Sequence, residues 1–212
     1  MLFGATILSL AAANRDCLIR DAETVPKLDL DACRPEPVSV PEKTAVLRSL
    51  PVDGAVTHFS TGERRKLDEL DPMLCSQSRK GVYEIRIITV PQAWAGLHAR
   101  AVLLISMPAL VLLTSEELQA LVAHEIGHEY VWQQYESARA LKDAKRLREL
   151  ELVCDAIAIA SLRRIGVAPE RLESATEKVF WYNRERLGVA LNNRNYPSLK
   201  ARRQLIKEMT NP

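Results

Sequence analysis

His124-Glu125-Ile126-Gly127-His128 (HEIGH) lies inside the longer stretch Thr114–Tyr130, TSEELQALVAHEIGHEY, and that stretch decides how the chain is read. Thr114 followed three residues later by Glu117 has the form of a capping box, so a helix is expected to start at Ser115. Leu118, Leu121, Val122 and Ile126 then form an apolar stripe at helical spacing. Residues at i and i+4 share one helix face. His124 and His128 can therefore reach one metal ion held about 2 Å from each ring nitrogen. Glu125 is offset by roughly 100° around the helix. That puts it beside the ion, where it can take a proton from a metal-activated water. Gly127 costs about 1 kcal/mol of helix propensity relative to Ala. Either a packed neighbour or a substrate must therefore approach the backbone there.

A catalytic zinc site usually has three protein ligands and one open position. The segment Glu149-Leu150-Glu151-Leu152-Val153-Cys154-Asp155 offers three carboxylates, and periodicity separates them. Leu147, Leu150, Cys154, Ala158, Leu162 and Ile165 define an apolar face. Glu151 and Asp155 fall on or beside it, and Glu149 points away. A buried carboxylate without a partner costs several kcal/mol or becomes protonated. Two of them one turn apart need cations or donors, which a His pair with zinc provides. Glu151 is expected to be the third ligand. Asp155 is expected to accept the free N–H of a ligand histidine and fix its ring.

The remaining elements suggest an α+β fold, mainly helical, with a small sheet before the HEIGH helix. Residues 60–71 are helix-compatible. Tyr83–Val90 (YEIRIITV) and Ala101–Ser106 (AVLLIS) read as strands, the second ended by Pro108. Helices are expected at about 115–133, 138–165, 169–187 and 198–209. Gly166 and Gly188 serve as stops, Pro169 sits in a first turn and Ser198 is an N-cap. Residues 14–43 carry Pro26, Pro35, Pro37 and Pro41 and read as an extended lead-in. The domain proper is then 44–212.

Composition bounds the function. A net charge of +2 over 212 residues leaves no basic footprint for nucleic acid. No internal apolar run approaches 18 residues, so no integral membrane span is expected. Leu2 to Ala13 is apolar or small and ends in Ala11-Ala12-Ala13. It is read as a secretory signal in 1–13 with export to a periplasmic or extracellular space; a buried N-terminal segment is the alternative. Export would permit a disulfide among Cys17, Cys33 and Cys75, in a pairing the sequence leaves open. Cys154 reads as a small buried hydrophobe. His58 and His98 lack ligand spacing and read as surface residues. The run Arg139, Lys142, Lys145, Arg146, Arg148 reads as a solvated face.

The HEIGH motif followed by Glu151-x-x-x-Asp155 resembles the gluzincin metallopeptidases, and most closely the HtpX-like and CAAX-prenyl-protease-like family. Pro91-Gln92-Ala93-Trp94, the entry Leu112–Leu118, and Tyr196-Pro197-Ser198-Leu199 with Arg202 resemble further elements of that family. Cys154 stands where the family has Ala, and Tyr196 where it has His. The resemblance covers about residues 80–207. It implies a zincin-like metallopeptidase domain holding one Zn2+ and hydrolysing peptide bonds of a protein or peptide substrate. It also implies an extended substrate beside the strand before the active-site helix. Here that strand is Ala101–Ser106, so Ala101 and Leu103 would receive substrate by strand addition, and Trp94 would wall a side-chain pocket. Tyr196 or Arg202 would assist a developing oxyanion; alternatively, Tyr196-Pro197 simply begins the last helix. A second class of function stays open, a catalytically weak zinc-binding envelope module acting as a binding or chaperone-like protein. An intact Glu125 speaks against it, because structural zinc needs no base.

Overall fold

The structure is a computed structural model and describes residues 19–50, 56, 58–188 and 195–210. The apolar segment Leu2–Ala13 and Cys17 lie outside the described residues. The fold is α+β and mainly helical, with one three-stranded sheet.

The lead-in packs against the domain. Ile19, Val25 and Leu30 are buried in the common core, and a 3-10 turn at Val25–Lys27 places the second of them. Gln134 donates to the Ile19 carbonyl (3.0 Å), Arg146 to the Arg20 carbonyl (2.9 Å) and Arg79 to the Pro35 carbonyl (2.7 Å). Helix α1 (Val40–Ser49) follows, opened by a Ser39/Glu42 capping box with Pro41 in its first turn. The expected helix near 60–71 is two short ones, α2 (Thr61–Asp68) and α3 (Asp71–Ser76).

Strands β1 (Glu84–Ile88), β2 (Ala95–His98) and β3 (Val102–Ser106) form the sheet in the order β1-β3-β2. β1 pairs parallel with β3, and β2 pairs antiparallel with it. The turn from β2 to β3 uses Ala99 and Arg100, both at positive φ (47° and 55°), and is closed by the Ala101 amide donating to the His98 carbonyl at 3.0 Å. Two central residues at positive φ are what a tight hairpin needs to match strand twist.

This topology corrects one expectation. β3 is the central strand, hydrogen-bonded on both sides, and Ala101 and Leu103 are 0% and 1% exposed. A third strand cannot add there. β2 lies at one edge of the sheet, a strand the sequence did not announce.

Helix α4 (Met107–Leu112) turns the chain after β3, with Pro108 in its first turn. α5 (Ser115–Tyr130) has the expected capping box and carries the HEIGH residues. It ends at Val131 and α6 (Trp132–Ala140) begins at once. α7 (Ala144–Arg164) buries Leu147, Leu150, Cys154, Ala158 and Leu162, the predicted stripe. α8 (Glu170–Leu187) stops at Gly188 in the left-handed region (φ 60°), and α9 (Leu199–Thr210) follows Ser198, whose hydroxyl accepts from the Ala201 amide. α5 is the central helix, packed against α7, α8 and β2. Among the described residues no helix is long and apolar enough to cross a membrane.

Candidate metal centre

α5 and α7 meet where Gly127 faces Cys154. A Cβ on Gly127 would stand 2.9 Å from Cys154 Cα, so the packed neighbour expected at this glycine is the backbone of α7. The close crossing brings the two halves of the site together. His124 Nε2 is 3.3 Å from Glu151 Oε2, and His128 Nε2 is 3.8 Å from Glu151 Oε1. Four ligands at about 2.0–2.1 Å in a tetrahedron stand about 3.3–3.4 Å apart. These side chains are therefore already near the separations one zinc-sized ion imposes. His124, Glu125 and His128 also offer ligand atoms within 4.8 Å of one another. Glu151 reaches both rings as well, one through each of its oxygens.

The surrounding groups fix these side chains. Asp155 Oδ1 lies 2.8 Å from His124 Nδ1, leaving Nε2 of that ring to face Glu151. Arg202 donates through Nη1 to the same Asp155 oxygen (2.5 Å) and through Nη2 to Glu151 Oε2 (3.3 Å). Expected as an electrophilic helper, Arg202 is instead engaged with both carboxylates and buried. Tyr135 donates to Glu151 Oε1 at 2.9 Å, and its ring stands edge-on to His128 with centroids 4.7 Å apart. Cys154 Sγ lies 3.4 Å from His128 Nδ1. Glu149 is half-exposed and pairs with Arg146, on the side its phase predicted.

Charge follows this geometry. Burial disfavours a charged ring at His124, but the bonds to Asp155 and Glu151 override it and lift the pKa to about 10. His128 is pushed down to about 4 by burial and stays neutral. Burial would raise Glu151, yet its contacts with His124 hold it down to about 2. Burial pushes Glu125 up to about 7. The Cys154 thiol is pushed up by burial and is neutral.

Beside these groups opens a cavity of ≈ 610 Å³ whose walls include Trp94, Leu121, Trp132 and Phe180. Its rim contains the start of β2. Along β2, Trp94 and His98 bond toward β3, so the alternate residues Ala93, Ala95 and Leu97 turn their amides outward. Leu97 also lines the cavity, and its backbone N–H counteracts part of the rise in the Glu125 pKa. Ala93 is held by Asn183 of α8, whose Oδ1 accepts from the Ala93 amide and whose Nδ2 donates to its carbonyl, both at 2.8 Å. Tyr196 also lines the cavity and is 48% exposed; burial of the rest of the ring raises its phenol pKa.

The structure thus brings together His124, Glu125, His128, Glu151, Asp155, Trp94 and Tyr196. It leaves Ala101 and Leu103 in the core. Tyr135 and Asn183 were missed. Tyr135 lies on α6, beyond the break at Val131, where the stripe of α5 no longer points to it. Cys33 is disulfide-bonded, whereas Cys75 and Cys154 are free. His58 and His98 are exposed. Comparison of the chain with models of known protein families and with the sequences of curated proteins gives no match.

Proposed function

We propose that this chain is a zinc-dependent metalloendopeptidase of the zincin-like kind that its motifs resemble. The observation that carries this reading is the convergence of His124 and His128 Nε2 on the Glu151 carboxylate, with Glu125 left over beside the cavity. His124, His128 and Glu151 would hold the ion. Bound there, zinc supplies Lewis acidity and a water of lowered pKa. Glu125 accepts the proton of the attacking water and returns it to the leaving amine. Asp155, Arg202 and Tyr135 keep the ligands oriented. The outward edge of β2 aligns an extended peptide by strand addition, and the apolar cavity takes a side chain. Tyr196 projects a phenol into the same space, suited to donate a hydrogen bond to a developing oxyanion. The disulfide at Cys33 supports export to an oxidising compartment.

The test is cleavage of an unfolded protein by the wild type and by Glu125→Gln, with zinc content measured in both. The expected result is full zinc content in both proteins and loss of cleavage in the variant alone. Equal cleavage would sink the enzyme reading and favour a zinc-binding module. Glu151→Ala should lose zinc; retention would remove Glu151 from the ligand set.

A further inference from the structure

The two histidines of the candidate centre are met at Nδ1 by consecutive residues of α7. His124 Nδ1 faces the Asp155 carboxylate at 2.8 Å, and His128 Nδ1 faces Cys154 Sγ at 3.4 Å. Asp155 was expected in such a role, whereas Cys154 was read as a small apolar residue. The root of its side chain is fixed by the helix crossing. A Cβ on Gly127 would stand 2.9 Å from Cys154 Cα and 3.1 Å from its Cβ, so α7 cannot come closer or turn there without a clash. Cys154 is fully buried, which leaves the sulfur beside His128 with no water to take its place.

We propose that Cys154 is a positioning residue: its sulfur accepts the Nδ1–H of His128 and so leaves Nε2 of that ring bare for a metal ion. This rests on the metallopeptidase reading above, in which His128 is a ligand. A neutral imidazole carries one N–H, and the hydrogen bond made at one nitrogen decides which of the two is left to bind metal. At Nδ1 the partner is Cys154 Sγ, within the reach of a bond to sulfur. At Nε2 the nearest carboxylate oxygen is Glu151 Oε1 at 3.8 Å, beyond hydrogen-bond length. That oxygen already accepts from Tyr135. The ring proton therefore belongs on Nδ1. The two rings are then held unequally. His124 is held by a carboxylate, itself braced by Arg202, and bonds to ionised groups are roughly twice as strong as neutral ones. His128 is held by a thiol, a weak acceptor. The thiol has a reason to be there. A carboxylate at position 154 would crowd a further charge against Glu151 and Asp155, and Arg202 is already engaged by both. Sulfur supplies an acceptor without that charge.

The experiment reads the histidine ring nitrogens of the metal-free protein by long-range proton–nitrogen NMR, in the wild type, Cys154→Ala and Cys154→Ser. Zinc affinity of each is measured against a chromophoric chelator. The chain has four histidines, and substituting the exposed His58 and His98 singly assigns the signals. The wild type should show His128 protonated at Nδ1. Cys154→Ala should move that proton to Nε2 and weaken zinc binding roughly tenfold or more, with the circular dichroism unchanged. Cys154→Ser keeps an acceptor on the same carbon and should keep the proton on Nδ1. A merely structural role would lower the stability of Cys154→Ala and leave the ring proton and the zinc affinity where they are, which would overturn the assignment. A wild-type His128 protonated at Nε2, with the thiol as donor, would overturn it without help from any variant. Equal zinc affinity in all three proteins, with Glu125-dependent cleavage intact, would overturn this inference alone. A wild type that binds no zinc would overturn the metallopeptidase reading and this inference with it.

Discussion

Gly127 on α5 lies against the backbone of Cys154 on α7, where a Cβ would stand 2.9 Å from Cys154 Cα and 3.0 Å from its carbonyl oxygen. The two helices carry the two halves of the candidate site, so this contact sets the distance between the histidines and Glu151. Backbone cannot yield as a side chain can. Gly127→Ala should cost about 1–3 kcal/mol through overpacking, offset by about 1 kcal/mol of helix propensity. Prying the helices apart should also weaken zinc binding. Thermal unfolding with and without zinc, together with a zinc titration, checks both effects. A variant as stable and as tight as the wild type would show that the crossing tolerates a methyl group.

Tyr135 and Glu151 give a second prediction. The phenol donates to the carboxylate oxygen nearest His128. Hydrogen bonds to charged groups contribute about 1.5–3 kcal/mol, and loss of an outer partner typically costs 10–100-fold in metal affinity. Tyr135→Phe keeps the ring against His128 and removes only the donor. It should bind zinc roughly tenfold or more weakly with the fold intact. Competition against a chromophoric chelator measures this, and unchanged affinity would mean that Glu151 is positioned without Tyr135.

What could be read in advance was periodic or capped. α5 and α7 show apolar stripes at helical spacing, and Thr114/Glu117 marks the start of the first. Glu151 and Asp155 were found because carboxylates on an apolar face must have partners. β2 was illegible for a physical reason: Ala95-Gly96-Leu97-His98 lacks the β-branched residues that mark strands. Its turn also places Ala99 and Arg100 at positive φ, where Asn or Gly would have been the signal. Without β2 the strand before α5 looked like an edge. The prolines before α1 read as loop, although Pro41 sits where a helix start tolerates it. Asn183 meets Ala93 across 90 residues of chain, a relation no local pattern records.

Glu117 yields a pH prediction away from the metal. Burial would raise its carboxyl, but bonds to Lys178, Ser174 and the Thr114 amide outweigh it and hold the pKa below 4.5. Lys178 Nζ is 2.7 Å away and the Ser174 hydroxyl donates at 2.6 Å. A carboxyl depressed on folding stabilises the protein at pH above its unfolded value, and that contribution is lost as pH falls through the folded one. Glu117→Gln keeps the capping-box geometry and removes the charge. With Lys178 40% exposed, the variant should be less stable by about 1 kcal/mol at neutral pH. The gap should close as pH drops below 4.5. Urea unfolding at a series of pH values reads this directly; a gap that persists in acid would assign it to packing instead of charge.

Gly96 and Trp94 stand on the same face of β2, two residues apart, and the indole lies over the glycine. A Cβ at position 96 would sit 2.5 Å from Cζ3 and 3.2 Å from Cε3 of that ring. Unlike the Gly127 contact, the obstructing atoms belong to the far end of a side chain, so the ring should move and the strand should stay. Within a strand Ala is favoured over Gly by roughly 0.5–1 kcal/mol, so Gly96→Ala should fold as well as the wild type. Its zinc affinity should be unchanged, because the bonds that hold the ligands run to Asp155, Arg202 and Tyr135. The displaced indole should alter the cavity wall. KM for a peptide substrate should rise roughly tenfold, with kcat affected less, and tryptophan emission should shift relative to a Trp94→Phe control. If KM and emission both stay at wild-type values, Trp94 does not shape the substrate pocket.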